Sequence, residues 1–198
     1  MQKHNLNTNQ TTLYIKNMVS NSCIKLVKQE LERTGFIDVI QVTLGEAVIR
    51  YDAQVFDPKG IDAILKRQGF ELIDNTDQKL VQQIKSSIIQ LIFYGSNTNS
   101  ILRNSDYLSE KLGHPYQYLS KIFSAQTGST LEKYIILIKT EKIKELISYE
   151  EITLSEIAYR MGYSSVQYLS NQFKQVTGFT VSDYKGVGKK NRTPLSDI

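Results

Sequence analysis

The sequence predicts a chain of two parts, an α+β sandwich followed by an all-α half. Three observations carry that expectation. Strand-like and helix-like patterns alternate from residue 12 to residue 74, the strand rhythm stops after Leu80, and one stretch of the second half is written twice. YLSKIFSAQTG runs from Tyr118 to Gly128 and YLSNQFKQVTG from Tyr168 to Gly178, with Tyr-Leu-Ser, Phe and Thr-Gly at the same offsets. At 40% apolar and 22% charged residues, the composition is that of a globular protein.

In the first part, TLYIKNM reads as a strand. Cys23, Ile24, Val27 and Leu31 then recur at helical spacing up to Gly35. FIDVIQVTLG and EAVIRYD are β-branched runs meeting at Leu44-Gly45, the pattern of a hairpin. Asp57-Pro58 supplies an N-cap and an N1 proline for a helix with Ile61, Ile64 and Leu65 inward, ending at Gly69. FELID makes a last short strand. The order βαββαβ predicts a small ferredoxin-like sandwich. Its expected core is Leu13, Ile15, Val27, Leu31, Val42, Val48, Ile61 and Leu65.

In the second part, LVQQIKSSIIQLIFYG reads as an amphipathic helix over 79–95 that bridges the two parts. A polar loop follows at Asn97–Ser100. Short helices with their own start signals come next. Asn104 or Ser105 is placed to cap YLSEKLG. Ser129 with Glu132 reads as a capping box for LEKYIILIKTEKIKELI, and Thr153 with Glu156 as another for LSEIAYRMG. Ser164 or Ser165 is placed to cap the last long helix. The expected domains are residues 12–76 and 79–187, flanked by disordered segments at 1–11 and 188–198.

The repeat extends beyond the quoted stretch. Leu108, Leu112 and Gly113 match Ile157, Met161 and Gly162 one unit later, and Thr130 and Tyr134 match Thr180 and Tyr184. Each unit is a short helix, a glycine turn and a second helix, which is the plan of a helix-turn-helix. On a wheel of about 100° per residue, Leu119, Ile122 and Phe123 form the packed stripe of one second helix (115–126), and Leu169 and Phe173 that of the other (165–176). Gln117, Ser120, Lys121 and Ser124 fall opposite in the first, and Gln167, Ser170, Asn171 and Lys174 in the second. Amides pair with adenine edges, and ammonium groups with guanine or phosphate, whereas a carboxylate would repel the backbone. Either face alone would pass for a solvated helix surface. Two acid-free copies at matched positions point instead to double-stranded DNA.

Charge agrees with that assignment. Residues 1–78 hold 9 Lys+Arg against 10 Asp+Glu, a net of −1, while residues 79–198 hold 15 against 10, a net of +5. The helix over 130–148 separates the units. It is long enough to hold two reading helices about 34 Å apart, the spacing of successive major grooves.

Residues 79–187 resemble the DNA-binding domain of the AraC/XylS family of bacterial transcription regulators. The resemblance is carried by LSEKLGHPYQYLSKIFSAQTGSTLEKYI, the linker IKTEKIKELI, and LSEIAYRMGYSSVQYLSNQFKQVTGFTVSDYK. It implies a seven-helix domain with two helix-turn-helix units, promoter binding, and RNA polymerase as a partner to recruit or block. Members of that family often place an arginine on the reading helices, and this chain has none there.

The first part carries a second resemblance. IKNMVSNSCIKLVKQEL is similar to the heavy-metal-associated domain, whose motif M-x-C-x-x-C holds a soft ion between two thiolates. Met18 and Cys23 match, but the first cysteine position is Ser20, and His4 and His114 offer no obvious replacement. The expectation is a degenerate site with no bound cofactor. Cys23 is the one candidate metal or redox residue, and a homodimer through this domain would allow two chains to share a metal. The single cysteine rules out an internal disulfide and fits the cytoplasm. No pair of residues asks to be a catalytic acid and base, so an enzyme is not expected. Two readings compete with a DNA-binding regulator: a metal- or thiol-responsive protein with a helical adaptor, and a protein-interaction module.

Overall fold

The computed structural model describes residues 8–52, 54–55, 57–95, 104–149, 152–187 and 192–198; the loop expected at Asn97–Ser100 and His4 lie outside them. The elements begin with β1 (Thr8–Lys16), α1 (Asn21–Glu32), β2 (Ile37–Thr43), β3 (Glu46–Asp52), α2 (Pro58–Lys66) and β4 (Glu71–Leu72). There follow α3 (Thr76–Ile89), α4 (Asn104–Leu112), α5 (Tyr116–Thr127), α6 (Leu131–Tyr149), α7 (Leu154–Arg160), α8 (Val166–Thr177) and α9 (Val181–Val187). The chain divides into two units, Met1–Ser86 and Ser87–Ile198, so the division falls inside α3 rather than before it.

In the first unit four strands form one sheet in the order β2-β3-β1-β4, with every neighbouring pair antiparallel. Leu13 and Ile15 of β1 and Ala47 and Ile49 of β3 pack with Val27 and Leu31 of α1 and Ile61 and Leu65 of α2. Side chains alternate along a strand, so Val48, between two inward neighbours, faces the other way. The expectation that Val48 belongs to the core is corrected by this register; Ala47 and Ile49 take its place. Strand β1 also begins at Thr8 and not at residue 12, because Thr8–Thr11 pair with Ile49–Asp52.

The turns follow local chemistry. Gly45, at φ +81°, closes the β2–β3 hairpin in the left-handed region, and a Cβ there would collide with Ser86 Oγ. Asp57 caps α2 by accepting the Lys59 N–H at 3.0 Å, with Pro58 at the first helical position. Ser20 caps α1 in the same way, accepting the Cys23 N–H at 3.3 Å.

In the second unit α3 runs on into a π-helical turn over Gln90–Tyr94. Phe123 of α5 packs on Tyr134 of α6 with ring centroids 5.2 Å apart, and Phe173 of α8 packs on Tyr184 of α9 at 5.5 Å. These four rings are the repeat seen from inside. Around the second copy Ile143 and Ile147 of α6 join Ile157, Ala158, Leu169, Phe173 and Val181 in one cluster.

Two sequence expectations need correction here. Helix α6 is capped by Thr130, whose Oγ1 accepts the Lys133 N–H at 3.1 Å, and not by Ser129. Glu132 instead accepts the Tyr116 hydroxyl at 2.9 Å. The same cap recurs fifty residues later, where Thr180 Oγ1 accepts the Asp183 N–H at 3.1 Å and Asp183 reaches back to Thr180. The tail is also ordered over residues 192–198, with a short 3₁₀ turn at Leu195–Asp197. Arg192 pairs with Glu145 at 3.1 Å and the Thr193 N–H donates to Glu141 Oε2 at 3.1 Å. Glu141 is buried beside Lys144, and a buried carboxylate needs every donor it can find.

Candidate nucleic-acid interface

The pairs α4–α5 and α7–α8 each fold around a glycine with positive φ, Gly113 at +68° and Gly162 at +70°. That conformation suits glycine and lets the second helix leave at a sharp angle from the first. The turn of the second pair is held from below by the long helix. Lys139 of α6 donates to the Met161 carbonyl at 2.8 Å and lies over the Tyr163 ring at 5.5 Å from its centroid. Burial pulls the Lys139 ammonium below its usual pKa. The Tyr163 hydroxyl donates to Gln172 Oε1 of α8 at 2.6 Å, and burial, with the neighbouring Tyr168, pushes the Tyr163 phenol up to about 12. The turn, the linker helix and α8 are therefore tied at three points.

The expected stripes are found inside. Leu119 and Phe123 of α5, and Leu169 and Phe173 of α8, are buried. On the other side Gln117 and Lys121 are exposed and Ser120 and Ser124 half-buried, while Gln167, Asn171 and Lys174 are exposed and Ser170 half-buried. Gln167 Nε2 donates to Asn171 Oδ1 at 2.9 Å, one helical turn on. That bond leaves Gln167 Oε1 and Asn171 Nδ2 as an adjacent acceptor and donor. No carboxylate occurs anywhere in α5 or α8.

Two residues of this surface escape the sequence argument. Tyr118 is 44% exposed and Tyr168 56%, next to Gln117 and Gln167. Each holds a matched place in the repeat, about 100° from its buried leucine on the helical wheel, but only the fold shows that the two rings protrude.

At the other candidate position, Cys23 Sγ lies 3.2 Å from Ser20 Oγ, and Met18 is fully buried in the core of the first unit. Ser20 serves as a helix cap and Met18 as packing. Among the described residues no group of three or more His, Cys, Asp and Glu side chains is placed to hold a metal ion. No helix among them is long and apolar enough to cross a membrane.

Residues 108–186 match the family model described as a helix-turn-helix domain, a span that contains α5 to α8. Over 134 residues the chain is 26% identical to a helix-turn-helix-type transcriptional regulator of the cgkA 5′ region of Pseudoalteromonas carrageenovora, covering 67% of this chain and 80% of that one. It is 27% identical over 104 residues to the xylose operon regulatory protein of Escherichia coli K12, covering 52% of this chain and 26% of that protein. Among solved structures, the C-terminal domain of AraT, a response regulator from Geobacillus stearothermophilus, is similar at a TM-score of 0.47 and 24% identity, over 58% of this chain and 91% of that one. The helical unit is thus a DNA-binding helix-turn-helix module. The chain is a DNA-binding transcription regulator with a helix-turn-helix domain.

Proposed function

We propose that the chain reads two successive major grooves from one face of DNA, with α5 in one and α8 in the next. The observation that supports this reading is the pair of exposed, acid-free faces on two copies of the same two-helix unit, joined by the 19-residue α6. At 1.5 Å per residue α6 spans about 28 Å, close to one turn of B-DNA. Gln117, Ser120, Lys121 and Ser124 serve the first groove, and Gln167, Ser170, Asn171 and Lys174 the second. The Gln167 acceptor and Asn171 donor match the adenine edge, which offers an N6 donor and an N7 acceptor. Lys121 and Lys174 meet phosphate or guanine. One chain then does what a symmetric dimer of single units does.

The first unit is proposed to be a ferredoxin-like sandwich derived from a heavy-metal-associated domain that has lost its paired thiols. The βαββαβ order and the Ser20 cap next to Cys23 support this. Pairing of two copies through this unit is supported by β2, whose outer edge no other described strand covers and whose Ile40 is 45% exposed. At a promoter, RNA polymerase is the protein partner proposed for a regulator of this class.

The test is selection of binding duplexes from a random pool, followed by hydroxyl-radical footprinting of the bound site. The expected footprint covers about 20 base pairs on one face, without palindromy. A strictly palindromic site bound only by a dimer would overturn the tandem reading.

A further inference from the structure

Each reading helix carries a large ring that the fold leaves in water. Tyr118 and Tyr168 stand at the same position of the repeat, fifty residues apart, and both are among the more exposed aromatic side chains of the molecule. Neither ring is loose. His114, from the turn before α5, packs against Tyr118 with centroids 5.1 Å apart and planes tilted by 41°, and Tyr163, from the turn before α8, packs against Tyr168 at 5.9 Å with a tilt of 52°. The second prop is itself braced by Gln172 and Lys139. A side chain already held against a neighbour has less rotamer entropy to lose when a partner arrives.

The position of the rings on the helix decides what they meet. Each tyrosine precedes the inward leucine, so it lies on the flank between the packed stripe and the reading face. When a helix lies in a major groove, its outermost face meets base edges and its flanks meet the sugar–phosphate walls. A phenol there offers one neutral O–H donor at the end of a rigid arm. The absence of any carboxylate in α5 and α8 leaves nothing on those helices to repel the phosphate it would approach.

We infer that Tyr118 and Tyr168 are a matched pair of phosphate contacts, each donating its hydroxyl to the DNA backbone at the edge of one groove. This rests on the two-groove reading above and adds two contacts that position the helices without reading sequence. It also has a signature that a lysine contact lacks. A neutral donor releases no counterion, so its loss lowers affinity and leaves the salt slope unchanged.

The experiment uses the full chain and its Tyr118→Phe, Tyr168→Phe and double variants. Each is titrated by fluorescence anisotropy against a duplex selected for binding and against a scrambled duplex, over a series of salt concentrations. Phenylalanine keeps the ring against its neighbour and removes only the hydroxyl, and both sites are exposed, so melting curves should match the wild type. Each single change should weaken binding about tenfold, as expected for one hydrogen bond to a charged acceptor. The loss should be equal for both duplexes, with the slope of log K against log salt unaltered. Unchanged affinity in the double variant overturns the inference and leaves the rings as packing alone. A loss confined to the selected duplex also overturns it, since that is the mark of a base contact. If the footprint of the wild type on the selected duplex covers a single groove, the two-groove reading fails and this inference falls with it, whatever the affinities of the variants.

Discussion

Gln167 and Asn171 are bonded to each other and exposed together, so they should act as one reading group. Gln167→Ala or Asn171→Ala is expected to relax preference at one or two base positions and to cost about 1–3 kcal/mol of binding. Binding measured against a panel of single-base variants of the selected site checks this; unaltered preference would mean that another face of α8 meets the bases. Lys174→Ala should weaken all duplexes alike and flatten the salt dependence, because a lysine on phosphate displaces counterions. At the opposite end of the chain, Ser20 Oγ and Cys23 Sγ are already 3.2 Å apart. Ser20→Cys therefore should recover tight Cu(I) binding that the single thiol of the wild type lacks, measured by competition against a chelator of known affinity. Wild-type affinity equal to that of the variant, with metal bridging two chains through their Cys23 thiolates, would contradict the degenerate-site reading. Much at this scale could be read in advance, because the wheel needs only the helix and its buried stripe. Tyr118 and Tyr168 could not be separated from the other tyrosines until exposure was known, since a ring beside a packed stripe packs or protrudes according to its neighbours.

At the scale of elements, caps and register are where sequence and structure part. Ser129 and Thr130 are adjacent hydroxyl residues, and either satisfies a capping pattern; the choice falls to the one whose oxygen meets the third N–H of the helix, which is Thr130. Thr130→Ala is expected to cost about 1 kcal/mol of stability in denaturant unfolding, while Ser129→Ala should cost little. Equal costs would place the cap elsewhere. Val48 shows the same ambiguity in a strand. EAVIRYD offers Ala47 and Ile49 or Val48 as the inward set, and only the pairing of β3 with β1 selects the first. The 192–198 tail lacks periodicity, so nothing local announces that Arg192 and Thr193 meet Glu145 and Glu141, some fifty residues earlier. By contrast the start of α2 was legible, because Asp57-Pro58 fixes it, and Ile61 and Leu65 are buried as their spacing predicts, while Ile64 is only half-buried and the helix ends at Lys66. Lys139 is the element-scale lock on the second unit, joining α6 to the turn before α8. Lys139→Met should leave the Met161 carbonyl without that donor, lower the melting temperature, and blunt discrimination between selected and scrambled duplexes. Full discrimination in a folded variant would show that the turn needs no tie to α6.

For the molecule as a whole, the repeat is what makes the architecture legible. Two copies of one local pattern imply two copies of one local structure, and the matched pairs Phe123–Tyr134 and Phe173–Tyr184 are its interior. What the repeat cannot tell is how far apart the copies act on a target, and that distance is the core of the proposal. It is tested most directly by inserting base pairs between the two halves of the selected site. An insertion of about 5 base pairs turns the second half to the opposite face of the duplex. If α6 holds α5 and α8 at a fixed spacing, affinity for that duplex should fall to that of a site whose second half is scrambled. Undiminished affinity for the 5-base-pair insertion would contradict a rigid tandem reader.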